Sequence, residues 1–287
     1  MPDSHVLREL KEKFPTFSPQ LRKASRFIID NPNEVAMHSM RAVAGQAGVQ
    51  PSVMIRLAKA IGFESYEPFR EHFRNWMSKG TNSWELRVRK LTNEAKSEQS
   101  FFEKAIQSEV GNITAILSEE NIPELKKAVE LINESRRVYV LGLRSMFSAS
   151  FYFSYLMRLF SSKTILITGL GGATADVLRD ITEKDALLIF SLQPYTRDAV
   201  TAAQFARGRN AGIIAITDSK VSPVVSEHGP NIIVTNSADA LLPSIIPVTA
   251  VAHLLATMVL VANEGDEALV HIKRSMAQLD HFDVYLP

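Results

Sequence analysis

Along the first 80 residues apolar side chains recur every three or four positions, the period of an amphipathic helix. Leu7, Leu10 and Phe14 begin the pattern and Pro15 interrupts it. Ser18 is placed to cap a second helix, Pro19 to Asp30, which has proline at its first position and Leu21, Ala24, Phe27 and Ile28 on one face. Asn31-Pro32 ends it. After Phe63, the residues Phe69, Phe73, Trp76 and Met77 mark another helix with a core-facing stripe, and Gly80, Thr81 and Asn82 break the pattern.

Between these helices lies the stretch Ser39 to Phe63. Ser39 is an N-cap residue, Val43 and Ala47 are spaced four apart, and Gly48 ends a short helix. Val49 and Gln50 make a turn, and Pro51 opens a second helix where its fixed φ and missing N–H cost nothing. Val53, Leu57 and Ile61 point inward, and Gly62 closes the helix. Gln50, Ser52, Met54, Arg56 and Lys59 are assigned to the other face, a polar and cationic set suited to base edges and phosphates in a major groove. The spacing equally fits an αα-hairpin in a helical domain, with Arg56 and Lys59 merely solvated.

The second half changes rhythm. Short apolar runs, Arg137 to Leu141, Lys163 to Thr168, Ala186 to Phe190, Gly212 to Thr217 and Asn231 to Thr235, alternate with helical patterns such as Met146 to Phe160 and Arg197 to Arg209. Continuous apolar strands between helices predict a parallel sheet covered on both faces, with ligands at the carboxyl ends of the strands. Those ends carry Gly142, Leu143, Arg144, Ser145 and Met146, then Ser191 to Thr196 ahead of Arg197 and Asp198, then Thr217, Asp218 and Ser219. Hydroxyls and free N–H groups at helix N-termini can hold an anion, and the same hydroxyls also cap helices, so Ser145, Ser191 and Thr196 admit both roles. Gly169 to Gly172 lacks the G-x-G-x-x-G spacing of a dinucleotide loop.

Length and charge bear on the partner. A chain of 287 residues, 46% hydrophobic and 22% charged, makes about two domains. The net charge is only +1, which excludes a polycationic nucleic-acid coat protein. Through Gly80 there are 12 Lys and Arg against 8 Asp and Glu, and in the rest 20 against 23. A mildly basic head on a mildly acidic body suits a DNA-reading module joined to another domain. With no cysteine, disulfides, thiolate metal sites and cysteine nucleophiles are excluded. The N-terminal residues show no signal-peptide pattern, and a cytoplasmic location is expected. Leu241 to Ala262 is long enough to span a bilayer, yet its prolines, hydroxyls and His253 and its lack of flanking cations favour a core or subunit-interface helix. His253 is expected as a core residue. His5, His38, His72, His271 and His281 match no zinc spacing, and neither metal nor cofactor is expected.

The run AxxAGVxxSxxxRLxKxIGF over Ala44 to Phe63 resembles the RpiR (MurR) family of bacterial transcription regulators, whose second domain is a sugar-isomerase (SIS) domain. The resemblance covers nearly the whole chain. It implies an α/β protein with an all-α helix-turn-helix domain over 1–80, a helical linker over 81–118 and a doubly wound, five-stranded SIS-type sensing and dimerisation domain over 119–287. It further implies a homodimer or homotetramer that binds double-stranded operator DNA, as a repressor by default, under the control of a phosphosugar. The family's GxGxS after strand one becomes Gly142, Leu143, Arg144, Ser145, Met146, and its SxSGxT after strand three becomes Ser191, Leu192, Gln193, Pro194, Tyr195, Thr196. Proline and glutamine weaken that phosphate nest, and Arg144 or Arg197 can supply the anion contact, to phosphate or carboxylate. The expected ligand set is therefore Arg144, Ser145, Ser191, Gln193, Thr196 and Arg197, and the effector a phosphosugar or sugar acid. Isomerase chemistry needs a paired base and acid. Neither His253 nor Glu227, His228, Glu264 and Glu267 makes such a pair by spacing, so a regulator rather than an enzyme is expected and a phosphosugar isomerase is the alternative.

Overall fold

In the computed structural model, which describes residues 5–78, 88, 91–92, 98–236, 244–262 and 266–286, the early helical period becomes α1 (His5–Lys13), α2 (Pro19–Asp30), α3 (Pro32–Met37), α4 (Met40–Gln46), α5 (Pro51–Ala60) and α6 (Tyr66–Ser78). The chain divides into two units, Met1–Phe101 and Phe102–Pro287. The break expected at Gly80 to Asn82 lies outside the described residues, as do the side chains of Trp76 and Met77. Ser39 caps α4, its Oγ accepting from the Ala42 N–H at 3.4 Å, whereas Ser18 stands at the N-cap of α2 without a side-chain cap bond. Leu10, Ile28, Val35, Leu57 and Phe69 are wholly buried, which is what their helical spacing calls for. Phe63, Tyr66, Phe69 and Phe73 meet edge-to-face or tilted with ring centroids 5.0–5.6 Å apart, and burial pushes the Tyr66 phenol up to about 12.

The helix α7 (Glu98–Thr114) begins in the first unit and ends in the second, which then contains α8 (Asn121–Glu134), β1 (Val138–Gly142), α9 (Phe147–Phe160), β2 (Thr164–Ile167), α10 (Thr174–Leu178), β3 (Ala186–Ser191), α11 (Arg197–Gly208), β4 (Gly212–Thr217), β5 (Asn231–Ile233), α12 (Ile246–Ala262) and α13 (Asp266–His281). The five strands pair in parallel in the order β2-β1-β3-β4-β5. Alternate residues of one strand serve two cores. Val138, Val140, Leu188 and Phe190 pack with α8, α9 and α12, while Tyr139, Leu141, Leu187 and Ile189 pack with α10 and α11. Both faces being covered, the strands read as unbroken apolar runs.

Two side-chain devices hold the sheet, one at the amino ends of its strands and one along an edge. The buried Asp185 carboxylate, just before β3, accepts Arg136 Nε at 3.0 Å and Nη2 at 2.8 Å, and the Thr182 N–H and hydroxyl at 2.9 Å each. At the outer edge of β5, Asn121 takes the place of a sixth strand: its Oδ1 accepts the Ile233 N–H at 2.9 Å and its Nδ2 donates to the Ile233 carbonyl at 2.8 Å. Glu124 accepts the Asn231 N–H at 2.8 Å. Side chains thereby satisfy an edge that would otherwise template another strand.

The apolar run near the C-terminus forms α12 from Ile246, with Val248, Val251, Leu255 and Val259 buried, and residues 241–243 lie outside the described residues. No helix among the described residues is long and apolar enough to cross a membrane. His253 corrects the expectation of a core residue. It is exposed, and its Nδ1 lies 3.0 Å from Tyr152 Oη of α9, because it falls on the outer side of the helix from Val251 and Leu255.

Candidate functional site

Two glycines set the helix pair of the first unit. After α4, Gly48 has φ 62° and the Val49 N–H donates back to the Ala44 carbonyl at 2.9 Å; after α5, Gly62 has φ 93° and the Phe63 N–H donates to the Ala58 carbonyl at 3.0 Å. Both are left-handed helix ends of the Schellman type, which reverse the chain sharply. Lys23 Nζ donates to the Gly48 carbonyl at 3.1 Å and Lys13 Nζ to the Ala60 carbonyl at 3.2 Å, so cations from α1 and α2 sit on the negative ends of both helices.

Gln50, Ser52, Arg56 and Lys59 are exposed, as the spacing requires. Met54 is not: it is 0% exposed and packs with Val53, Leu57 and Ala58, so it cannot reach a base edge. Three and four residues before Leu57 and Ala58, it belongs to their buried side. Its place on the outer face is taken by Ile55, 37% exposed, which shares that face with Ser52, Arg56 and Lys59. The 3.6-residue period already contained this signal.

In the second unit, the sheet changes winding direction between β1 and β3. They are paired, with Gly142 opposite Phe190, and the helices that follow them, α9 and α11, pack on opposite faces. A crevice at the carboxyl ends of two such strands is where open α/β sheets bind ligands. After β1, a Cβ on Gly142 would stand 2.4 Å from the Met146 carbonyl oxygen, so glycine alone permits the turn. Arg144 follows with φ 55°, a left-handed conformation that L side chains adopt under strain, and both Arg144 and Ser145 are exposed. Gly169, from the loop after β2, leans toward the Leu143 side chain beside them.

After β3, Ser191 is only 4% exposed. Thr196 caps α11, its Oγ1 accepting the Ala199 N–H at 3.4 Å, and Arg197 and Asp198 are exposed in the first turn. The capping role left open for Thr196 is thus occupied, and the one for Ser145 is not: Ser145 makes no side-chain cap bond. The Gln193–Pro194 bond is cis. The loop is tied down by Asp218 at the end of β4, which accepts Tyr195 Oη at 2.7 Å and, more weakly, the Gln193 N–H at 3.4 Å. A carboxylate therefore already engages one amide that an anion in this loop would use. Tyr195 and Asp218 escaped the expected ligand set because their meeting depends on β3 lying beside β4, with Ser191 opposite Thr217.

The residues considered for isomerase chemistry are dispersed. Glu227 and His228 are exposed just before β5, at the amino ends of the strands, and Glu264 lies outside the described residues. Among the described residues no group of three or more His, Cys, Asp and Glu is placed to hold a metal ion.

The SIS domain family matches residues 131–262, the span from the end of α8 to the end of α12. The HTH-type transcriptional regulator HexR of Escherichia coli (strain K12) is 20% identical over 220 residues, covering 75% of this chain and 73% of that protein. The Vibrio vulnificus NanR protein complexed with ManNAc-6P superposes with a TM-score of 0.57 at 16% identity, over 97% of this chain and 99% of that one. The sugar isomerase domain of an RpiR transcription factor from Sphaerobacter thermophilus superposes with a TM-score of 0.56 at 22% identity, over 61% of this chain and 97% of that one.

Proposed function

We propose, for a chain that belongs to the RpiR family of helix-turn-helix and SIS regulators, that it is an operator-binding repressor, and not an enzyme, controlled by an anionic sugar-derived metabolite in the crevice between β1 and β3. The observation that carries this reading is the outer face of α5: Ser52, Ile55, Arg56 and Lys59 exposed together on a helix that enters from a tight left-handed turn. Arg56 and Lys59 hold phosphates, Gln50 and Ser52 donate to or accept from base edges, and Ile55 offers apolar contact to a thymine methyl. Named regulators among the relatives, matched over about three quarters of their length, support DNA as the partner. Operators read by such helices are palindromic, so a homodimer or homotetramer is the binding form.

The effector site is built from Arg144 and Ser145 after β1 and from Ser191, Gln193, Thr196 and Arg197 around the N-terminus of α11. The NanR neighbour, solved with ManNAc-6P, supports a phosphosugar as ligand class. The two arginines suit a sugar acid equally, since a guanidinium grips either oxyanion through paired N–H groups. Effector binding shifts operator affinity only by its differential affinity for the DNA-competent form.

The test is fluorescence anisotropy of the full chain on duplex DNA from its own promoter region, with and without a panel of sugar phosphates and sugar acids. Saturable, sequence-selective binding that one ligand shifts, and that Arg144→Ala makes insensitive to the ligand, is the expected result. Turnover of a phosphosugar by the chain, with no selective DNA binding, overturns it.

A further inference from the structure

The two sides of the crevice differ in charge. On the β1 side Arg144 stands exposed at the turn, and from Gly142 to Ser162 the chain carries no acid. The loop after β2, from Thr168 to Ala173, carries none either, and the first acid beyond it, Asp176, is paired with Arg179. On the side of β3 and β4 the balance reverses. Asp218, half-buried at the end of β4, and Asp198, in the first turn of α11, stand against Arg197, while Lys220 is paired with Glu120 at 2.8 Å. The Asp218 carboxylate is held by neutral donors: the Tyr195 hydroxyl at 2.7 Å and, more weakly, the Thr217 hydroxyl and the Gln193 N–H at 3.4 Å each. The β3 loop is also short of donors for an anion, since Pro194 has no N–H and the Thr196 hydroxyl is turned to the Ala199 N–H.

We propose that Asp218 sets the direction in which the effector lies, with its anionic group at Arg144 after β1 and its hydroxyl-bearing end at Asp218 after β4. An anion seated in the β3 loop would compete for the Gln193 N–H with a carboxylate that already accepts from it, and like charges that close repel strongly where water is partly excluded. A sugar hydroxyl meets no such conflict. The two oxygens of a carboxylate offer about four acceptor positions; Tyr195, Thr217 and Gln193 take three, and the remaining one accepts a hydroxyl. Arg144 supplies the opposite end, since a guanidinium grips phosphate or carboxylate through paired N–H groups. Tyr195 is a positioning residue, fixing the carboxylate beside the β3 loop through its short hydrogen bond. The effector class that fits is a sugar phosphate or sugar acid with a single anionic end. This inference rests on the crevice being the effector site, as proposed above.

Inorganic phosphate is the probe, because it reports where an anion sits whatever the effector is, and phosphorus NMR titration of the full-length protein reads weak affinities. Arg144→Ala is expected to weaken phosphate binding by about tenfold or more, and Arg197→Ala by no more than about threefold. Asp218→Asn keeps an oxygen for the Tyr195 hydroxyl and removes the charge, and is expected to strengthen phosphate binding by about fivefold or more, a gain that a merely structural role does not produce. Tyr195→Phe loosens the carboxylate but keeps its charge, and is expected to give no gain. If Asp218→Asn loses its circular-dichroism signature, the two arginine variants decide. The proposal is overturned by a dependence on Arg197 greater than that on Arg144, by a folded Asp218→Asn that binds phosphate no better than the parent, by a gain in Tyr195→Phe equal to that in Asp218→Asn, or by no phosphate binding in parent and Asp218→Asn alike. Anisotropy on promoter DNA separates the two readings. Selective DNA binding together with phosphate held through Arg197 refutes the direction and leaves the regulator, whereas the expected phosphate pattern without selective DNA binding refutes the regulator and leaves the direction in place.

Discussion

Met54 and Ile55 are neighbours in sequence with opposite consequences. Met54 is enclosed between Leu57, Ala58 and the helices beneath, so Met54→Ala is expected to cost about 2–4 kcal/mol of stability through the void it leaves. Ile55→Ala, on the outer face, is expected to change stability by no more than about 0.5 kcal/mol while weakening operator binding. Urea unfolding and DNA anisotropy on the two variants separate the roles. Arg144 raises the same kind of contrast within one residue. Its left-handed φ of 55° is strained for an arginine, so Arg144→Gly relieves about 1–2 kcal/mol in the folded state and returns up to about 1 kcal/mol through the greater freedom of glycine in the unfolded chain. Thermal denaturation should accordingly show little change or a small gain, with effector affinity by calorimetry falling at least tenfold. A residue that strains the backbone and improves nothing else is retained for its side chain.

At the level of elements, the edges of the sheet do different work. The amino ends of β1 and β3 are stapled through Asp185, the carboxyl ends carry the crevice, and the two can be perturbed separately. Burial pushes the Asp185 carboxyl up, but hydrogen bonds from Arg136 and Thr182 outweigh it and hold the group below its usual value. A carboxyl held low in the folded state contributes stability above its unfolded value of about 4 and loses it as pH falls through the folded value. Asp185→Asn is therefore expected to lower the melting temperature at neutral pH, at a cost of about 2 kcal/mol, and to flatten its decline in acid, leaving effector affinity unchanged. Such elements were largely legible beforehand. The helix bounds Pro19 to Asp30 fall where proline and asparagine place them, and the unbroken apolar runs of the strands announced a sheet buried on both sides. What the sequence does not display is adjacency. That Asp218 latches Tyr195, or that Asn121 plugs the edge of β5, follows from which strands lie side by side, over sequence separations of 23 and 112 residues. Met54 is legible by contrast, since the helical period and an apolar side chain both place it inward with Val53, Leu57 and Ala58. His253 follows the same rule on α12, where a mostly apolar helix still has an outer side.

For the whole molecule, charge and pairing meet in one measurable quantity. A net charge of +1 gives little general attraction to DNA, so affinity has to come from local cations on the reading face, and each phosphate they neutralise steepens the fall of log K with log salt by about 0.9. Arg56 is exposed on α5 and is proposed to hold one phosphate per copy. If a single head engages, Arg56→Ala reduces the slope by about 1; if two heads of a pair engage one operator, the same substitution removes two contacts and reduces it by about 2. The homodimer or homotetramer proposed as the binding form predicts the larger change. Anisotropy titrations across four or five salt concentrations for the parent and Arg56→Ala give both slopes. A change near 1 means that copies read DNA singly.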